Sequence, residues 1–173
     1  MLRFPVIALI SFLLLSSCSQ KRAALYYFNK IVAFDKKMGK LRSSYDHKIE
    51  TAISDRILKG NFGQADKLRQ ELADKMTAAI NHFKRMGKFQ GDADLIDAAV
   101  RFFSAIRDFY LEEKKEIISL RTRFIPLGPE EQKRIEDLNT QITSKSQDIL
   151  SEFVAAQQVF AGKYGFPLIF PEK

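Results

Sequence analysis

Apolar residues recur at alternating steps of three and four through most of the chain, which is the spacing of one buried face of an α-helix. Proline is absent from residues 25–125, glycines cluster at 60–63 and 87–91, and a Gly-Pro pair occupies 128–129. These breaks separate four helical segments. The predicted helices span residues 22–59, 64–87, 92–124 and 129–163.

The last two predicted helices have recognisable ends. Asp92 can accept hydrogen bonds from the free backbone amides that open the third helix. Pro129 suits the first position of the fourth helix, and Gly162 or Gly165 can adopt the left-handed conformation that closes it.

On each of these two helices the apolar positions form a seam, which is a stripe of residues along one face of the helix. The two seams can pack against each other. The third helix carries Ile96, Ala99, Phe103, Ile106, Tyr110, Glu113, Ile117, Leu120 and Phe124. The fourth carries Ile135, Leu138, Ile142, Lys145, Ile149, Phe153, Ala156 and Phe160. If the chain reverses at residues 126–129, facing residues have numbers that add to a nearly constant value, which puts Phe103 opposite Ala156 and Ile106 opposite Phe153. Seams matched in this way predict antiparallel packing.

The same matching works at the two glycine clusters, where Leu41 falls opposite Phe83. One predicted layer through all four helices consists of Tyr45, Ala79, Phe103 and Ala156. The chain is therefore predicted to be all-α, an antiparallel up-down-up-down four-helix bundle with short connections.

Two segments are predicted to lie outside the matched layers. The third and fourth helices extend beyond the first pair, so Phe124, Ile125 and Leu127 should form a projecting tip that contacts a partner. The apolar tail at 166–173 is kept extended by its prolines. It is expected to cover one residue at the start of the first helix, namely Phe28, Ile31 or Phe34, or else to touch lipid.

The N-terminal residues have the pattern of a lipoprotein signal. Arg3 precedes an apolar run at 4–15, and a Leu-Ser-Ser-Cys sequence ends at Cys18, the only cysteine. The pattern predicts removal of residues 1–17 and acylation of Cys18, which would tether a bundle domain of residues 18–165 to a membrane. One alternative is an ordinary cleaved signal. Another is a retained membrane helix, although the run is shorter than the ~20 residues needed to cross a bilayer.

Charge and cysteine content narrow the classes of function. Loss of the signal takes away only Arg3 and lowers the formal net charge from +7 to +6. This basic excess suits anionic lipid headgroups, an anionic glycan or an acidic protein, but it is also compatible with a solvated surface. No basic run is long enough to indicate nucleic-acid binding. A single cysteine provides no internal disulfide, so stability depends on packing.

Glu113 and Lys145 are charged residues within otherwise apolar seams, and the matching puts them in one layer. The simpler interpretation is a polar layer that fixes the register of the helices. The alternative is a catalytic carboxylate beside a lysine, which would require a cleft.

No cofactor or metal site is expected. The two histidines, His47 and His82, lie off the seams and lack the Glu-x-x-His spacing of di-iron bundles. Asp92, Asp94 and Asp97 have the residue type for calcium, but no loop of further oxygen ligands follows, and helix capping explains them better. The motifs for phosphate loops, serine nucleophiles and haem attachment are missing from the sequence.

The mature chain also resembles a group of small helical surface lipoproteins from spirochaetes and Bacteroidetes. The similar features are the lipobox at Cys18, the Gly91-Asp92 turn, Phe109-Tyr110, and the stretch from Phe153 through Ala156, Gln157, Phe160 and Ala161 to Tyr164-Gly165. The resemblance implies a lipoprotein of the surface or envelope and no catalytic residue. Such lipoproteins commonly reach the outer membrane unless an acidic residue follows the cysteine, and here Ser19 follows it.

The expected function is non-enzymatic binding or structural support by a lipid-anchored envelope module, on the periplasmic or the surface side. One rival is a small-molecule or metal carrier, or a hydrolase, with its site inside the bundle near Glu113 and Lys145. Another is a structural lipoprotein that binds peptidoglycan or an anionic glycan through charge. An internal cavity would favour the carrier, and an exposed apolar patch would favour the binder.

Overall fold

The computed structural model describes residues 4–59, 63–123 and 126–168, with side chains described for 19–54 and for the last two ranges. In these ranges the chain is helical and carries no strand beyond one isolated bridge between Phe89 and Asp92. The helices are α1 (Phe4–Lys59), α2 (Gln64–Met86), α3 (Asp94–Leu111), α4 (Glu113–Arg121) and α5 (Pro129–Tyr164). The predicted all-α four-helix bundle is confirmed, with α3 and α4 together forming its third helix.

Contacts between neighbouring helices run in opposite order along their sequences. On α1 the hydroxyl of Tyr27 donates to the carbonyl of Gly87, at the end of α2, over 2.6 Å, whereas the hydroxyl of Tyr45 reaches Glu71 over 3.3 Å. Between α3 and α5, the rings of Phe102 and Phe153 stack with centroids 5.2 Å apart.

The third helix was predicted to be continuous from 92 to 124, and this was wrong. The structure breaks it at Glu112, whose φ of −111° and ψ of −82° leave the helical region. A physical reason lies on α2, where the buried Arg69 donates from Nη1 to the carbonyl of Tyr110 over 2.8 Å. In an unbroken helix that carbonyl would accept from the amide four residues later. The arginine therefore takes an acceptor that the helix would otherwise use.

The predicted register between α1 and α2 was also wrong. Phe34, rather than Leu41, lies against Phe83, with ring centroids 5.1 Å apart. Tyr45 reaches Glu71 instead of Ala79, so it does not share the predicted four-helix layer. The observed register lies seven residues towards the N-terminus of α1 and buries Ile31 completely. Burying the early turns of α1, which the prediction had left without an opposite helix, accounts for the choice.

Between α3 and α5 the shift from the predicted register is smaller. Phe153 was expected opposite Ile106 but stacks on Phe102, one turn earlier. The predicted helix ends are observed more closely: Pro129 begins α5, and Gly165 closes it with a φ of +69°. Asp92 accepts a hydrogen bond from the backbone amide of Asp94 over 3.1 Å, but α3 begins at Asp94 with Ala93 as its N-cap, so Asp92 lies one residue before the capping position.

Aromatic side chains fill the end of the bundle where α1 enters from Cys18. The ring contacts join Tyr27, Phe28, Phe89, Phe160, Tyr164 and Phe166. Phe166 of the tail lies 5.3 Å from Phe28 between ring centroids, which confirms that the tail folds against the start of the first helix. Residues 169–173 of that tail lie outside the described part of the chain. Burial, followed by the charges of Asp92 and Asp97, raises the pKa of Tyr27 to about 12.

Candidate functional site

A groove of about 440 Å³ opens between α1 and α5, with α3 as its floor. The two walls touch at the aromatic end, where the rings of Phe28 and Phe160 stack, and they separate further along the bundle. The α1 wall consists of Asp35, Met38, Gly39 and Arg42. The floor consists of Phe102, Phe103, Ala105, Ile106 and Phe109, with Met76 from α2. The α5 wall consists of Ile142, Thr143, Ser146, Gln147, Ile149 and Leu150.

The groove is apolar except at its rims. Phe103 in the floor is almost fully buried, whereas Leu150 on the rim is 47% exposed. The α5 rim adds the hydroxyls of Thr143 and Ser146 and the amide of Gln147. Pockets that bind small ligands have volumes of roughly 300–1,000 Å³ and combine apolar walls with a few polar groups. Both the size and the lining of this groove fit that description.

Asp35 and Arg42 are the charged residues that line the groove. On α1 they occupy positions in step with the buried residues, although Asp35 is half-buried and Arg42 is exposed. Asp35 makes no hydrogen bond or ion pair with any residue in the described ranges. Burial raises the pKa of its carboxyl group, and the positive charge of Arg42 lowers it by less. The two residues are two helical turns apart, or about 10 Å along the axis. Burial thus disfavours the charged form of this carboxyl group, and the charge of Arg42 offsets that effect only in part.

Gly39 stands between these two residues, in the interior of a long helix. A Cβ atom built on Gly39 would meet no atom within 4 Å. Glycine in a helix interior costs about 1 kcal/mol relative to alanine. Close packing does not explain this glycine, so its effect is to leave the backbone of α1 bare along the groove.

A second polar cluster joins three helices beyond the groove. Arg69 is 3% exposed, and its guanidinium bonds to Asp66 over 2.7 Å as well as to the Tyr110 carbonyl. The hydroxyl of Tyr110 donates to Asp46 on α1 over 2.6 Å. Burial, then the charge and hydrogen bond of Asp46, raise the pKa of Tyr110. Each of these side chains has a partner within the cluster, so the cluster fixes the relative positions of the three helices.

The structure brings Glu113 and Lys145 together. The lysine Nζ lies 2.9 Å from Glu113 Oε1, and this ion pair joins α4 to α5. The Glu113 side chain is 11% exposed and the Lys145 side chain 55%, so the pair lies at the edge of the bundle. Neither residue lines the groove.

The other candidate residues are only partly described. Leu127 is half-buried, and Phe124 and Ile125 lie outside the described residues. Cys18 falls within the backbone of α1, and its side chain is not among those described. Of the two histidines, His47 is exposed and His82 stacks on Phe34 with centroids 4.4 Å apart.

The described residues contain no group of three or more His, Cys, Asp or Glu side chains placed to hold a metal ion. Among their helices, none combines the length and the apolar character needed to cross a membrane.

Sequence reasoning missed the groove and the buried arginine, although a signal for both was present. The buried positions of α1 recur mostly at steps of three, four or seven, and Asp35 and Arg42 occupy the positions that complete this spacing. The buried positions of α2 include Arg69 itself. Asp35, Arg42 and Arg69 are therefore charged residues within otherwise apolar seams, as Glu113 and Lys145 are. A charged residue at a seam position indicates either a satisfied polar contact or a gap between helices, and this chain contains both.

No protein-family model matches the chain, and neither a search of curated proteins nor a search of solved structures returned a match. The resemblance to surface lipoproteins therefore stays a prediction.

Proposed function

We propose that the chain is a lipid-anchored, non-enzymatic binding module of the cell envelope that holds a small apolar ligand in the groove between α1, α3 and α5. The observation that carries the proposal is the groove itself, with a volume of about 440 Å³. Its charged lining residues are Asp35 and Arg42, and the remainder are apolar or uncharged polar groups. A ligand can be held there by burial of apolar surface and oriented by the polar rims.

The predicted anchor places this groove above the membrane. Residues 18 and 35 are on one continuous helix, α1, so about 25 Å of helix separates the acylated cysteine from Asp35. The basic residues Lys21 and Arg22 follow the anchor and are exposed, as suits contact with anionic headgroups. The ligand would then be carried at the membrane surface. The outer membrane is the proposed location.

The anchor is tested by replacing Cys18→Ser in cells fed an alkyne analogue of palmitate. We expect the wild-type protein to take up the label and to sediment with membranes. The serine variant should lose both properties because it has no thiol to acylate. Labelling of the serine variant would contradict the proposed anchor.

The groove is tested with a short alkyl diazirine as a photoaffinity probe on the acylated protein in nanodiscs. Peptide mass spectrometry should locate cross-links on groove residues such as Met38 and Leu150. Gly39→Leu places a side chain in the groove without a clash at its Cβ and should remove those cross-links. The matched control is Gly162→Leu on α5, which also meets no atom within 4 Å at its Cβ and lies outside the groove.

Cross-links spread evenly over the surface, or unaffected by Gly39→Leu, would refute groove binding. In that case the distal tip of Phe124, Ile125 and Leu127 would return as the contact surface to test.

A further inference from the structure

The groove has one feature that a purely apolar binding site would not need. Asp35 lines it as a carboxylate without a hydrogen-bond partner among the described residues, above a floor that contains Phe102, Phe103 and Phe109. A charged group taken out of water is unfavourable unless an opposite charge accompanies it. Arg42, whose charge lowers the pKa of Asp35, is exposed and stands two turns along the same helix.

The groove therefore offers a carboxylate that can pair with a positive charge. A cation beside Asp35 would be attracted by this carboxylate, in a groove whose lining includes the half-buried ring of Phe102. Aromatic rings attract cations that approach their faces within roughly 6 Å of the ring centre. An anion would be repelled by the half-buried carboxylate and would find only the solvated guanidinium of Arg42.

Gly39 bears on the apolar part of the ligand. It stands one turn beyond Asp35 on the same wall, and nothing fills the space where its side chain would be. An apolar chain that starts at Asp35 and runs along α1 would pass over this bare backbone. The other wall carries Ile142 and Leu150, which can cover the chain from the α5 side.

We propose that the groove selects a hydrophobic amine, with its ammonium group at Asp35 and its apolar body between the phenylalanine floor and α5. The proposal rests on the proposed function, because it names the chemical class of the ligand in the same groove. It is consistent with the raised pKa of Asp35, which shows that burial outweighs the effect of Arg42.

Three probes that share one apolar body test this selection: 4-phenylbutylamine, 4-phenylbutanol and 4-phenylbutyrate. Binding is measured by calorimetry on the acylated protein in nanodiscs, with the heats from empty nanodiscs subtracted. We expect the amine to bind at least about tenfold more tightly than the alcohol, the gain of one charge-assisted hydrogen bond. The acid should bind most weakly.

Asp35→Asn should remove the preference by weakening the amine about tenfold while leaving the alcohol within about twofold. Asp74→Asn is the control, since Asp74 is an exposed carboxylate on α2 outside the groove. Thermal unfolding of both variants establishes that they are folded.

The outcomes separate this inference from the proposed function. Equal binding of the three probes, all weakened by Gly39→Leu, would overturn the selection for amines and keep the groove as a binding site. No binding of any probe to the wild-type protein would overturn both. A dimer in sedimentation that Gly39→Leu abolishes would also overturn both, because the occupant would then be a second copy of the chain.

Discussion

Replacing Arg69 with methionine tests the link between the buried arginine and the break in the third helix. Methionine has a similar length and lacks the charge. The substitution removes three hydrogen bonds, to Asp66, to Gln70 and to the Tyr110 carbonyl. Because the Asp66 side chain is 53% exposed, water can replace the arginine there at little cost.

The main effect comes from the carbonyl of Tyr110. Its residue is only 4% exposed, so water has little access to an acceptor that loses its donor. A buried polar group left unsatisfied costs about 1–3 kcal/mol. Methionine retains most of the volume of the arginine stem, which keeps any cavity contribution small. We therefore expect Arg69→Met to lower the free energy of unfolding by about 1–3 kcal/mol.

Urea unfolding followed by circular dichroism measures this change. Lys67→Met is the matched control, because Lys67 is an exposed cation on the same helix and its loss should change stability by less than about 0.5 kcal/mol. Unchanged or increased stability of Arg69→Met would refute the reasoning. It would mean that the Tyr110 carbonyl recovers its helical partner, so hydrogen exchange at the amide of Lys114 would then become slower.

Three further predictions concern Gly39, Asp35 and Asp92. Gly39→Ala should raise the free energy of unfolding, measured in urea, by about 0.5–1 kcal/mol, since its Cβ meets no atom within 4 Å. A loss of stability would contradict this expectation. Asp35→Asn should be more stable than wild type at neutral pH, because the raised pKa makes the charged form unfavourable in the fold. In thermal scans this advantage should disappear as the pH falls through the raised pKa, and an advantage that persists at low pH would count against a charge effect. The pKa of Asp92 is lowered chiefly by a hydrogen bond from Lys163, so Asp92→Asn should lower the melting temperature at neutral pH. The variant and the wild type should have equal melting temperatures once the pH has fallen through that lowered pKa. Equal melting temperatures at pH 7 would contradict this prediction.

The helices and their ends could be predicted from the sequence because each depends on local chemistry. The glycine clusters, Pro129 and Gly165 act on the backbone within a few residues of their own positions. The predicted and observed helices accordingly agree within three residues at their ends, apart from the break at Glu112 and the start of α1, which lies at Phe4 instead of residue 22.

The register could not be predicted in the same way, because a seven-residue repeat matches itself again when it slides by seven. Leu41 and Phe34 are seven residues apart and fit the same seam, yet only Phe34 packs on Phe83. The choice depends on the total burial along α1, including the aromatic residues near its start. The total burial can be evaluated only for the assembled bundle and not from any one segment of the sequence.

The groove depends on the separation of two helices that are distant in sequence. The charged seam residues Asp35 and Arg42 indicate that this part of α1 is not fully packed, but they do not show which neighbouring helix is separated from α1 there. By contrast, the Glu113–Lys145 pairing followed from the matched seams and is present at 2.9 Å. Its position at the edge of the bundle depends on side-chain exposure, which periodicity does not determine.

Native mass spectrometry of the acylated protein, extracted from its own membrane, tests the central claim most directly. We predict one non-covalently bound small molecule per chain in the wild-type protein and in Gly162→Leu, and none in Gly39→Leu. A wild-type protein that carries no bound molecule, or a molecule that Gly39→Leu retains, would contradict the assignment of the groove as a ligand site.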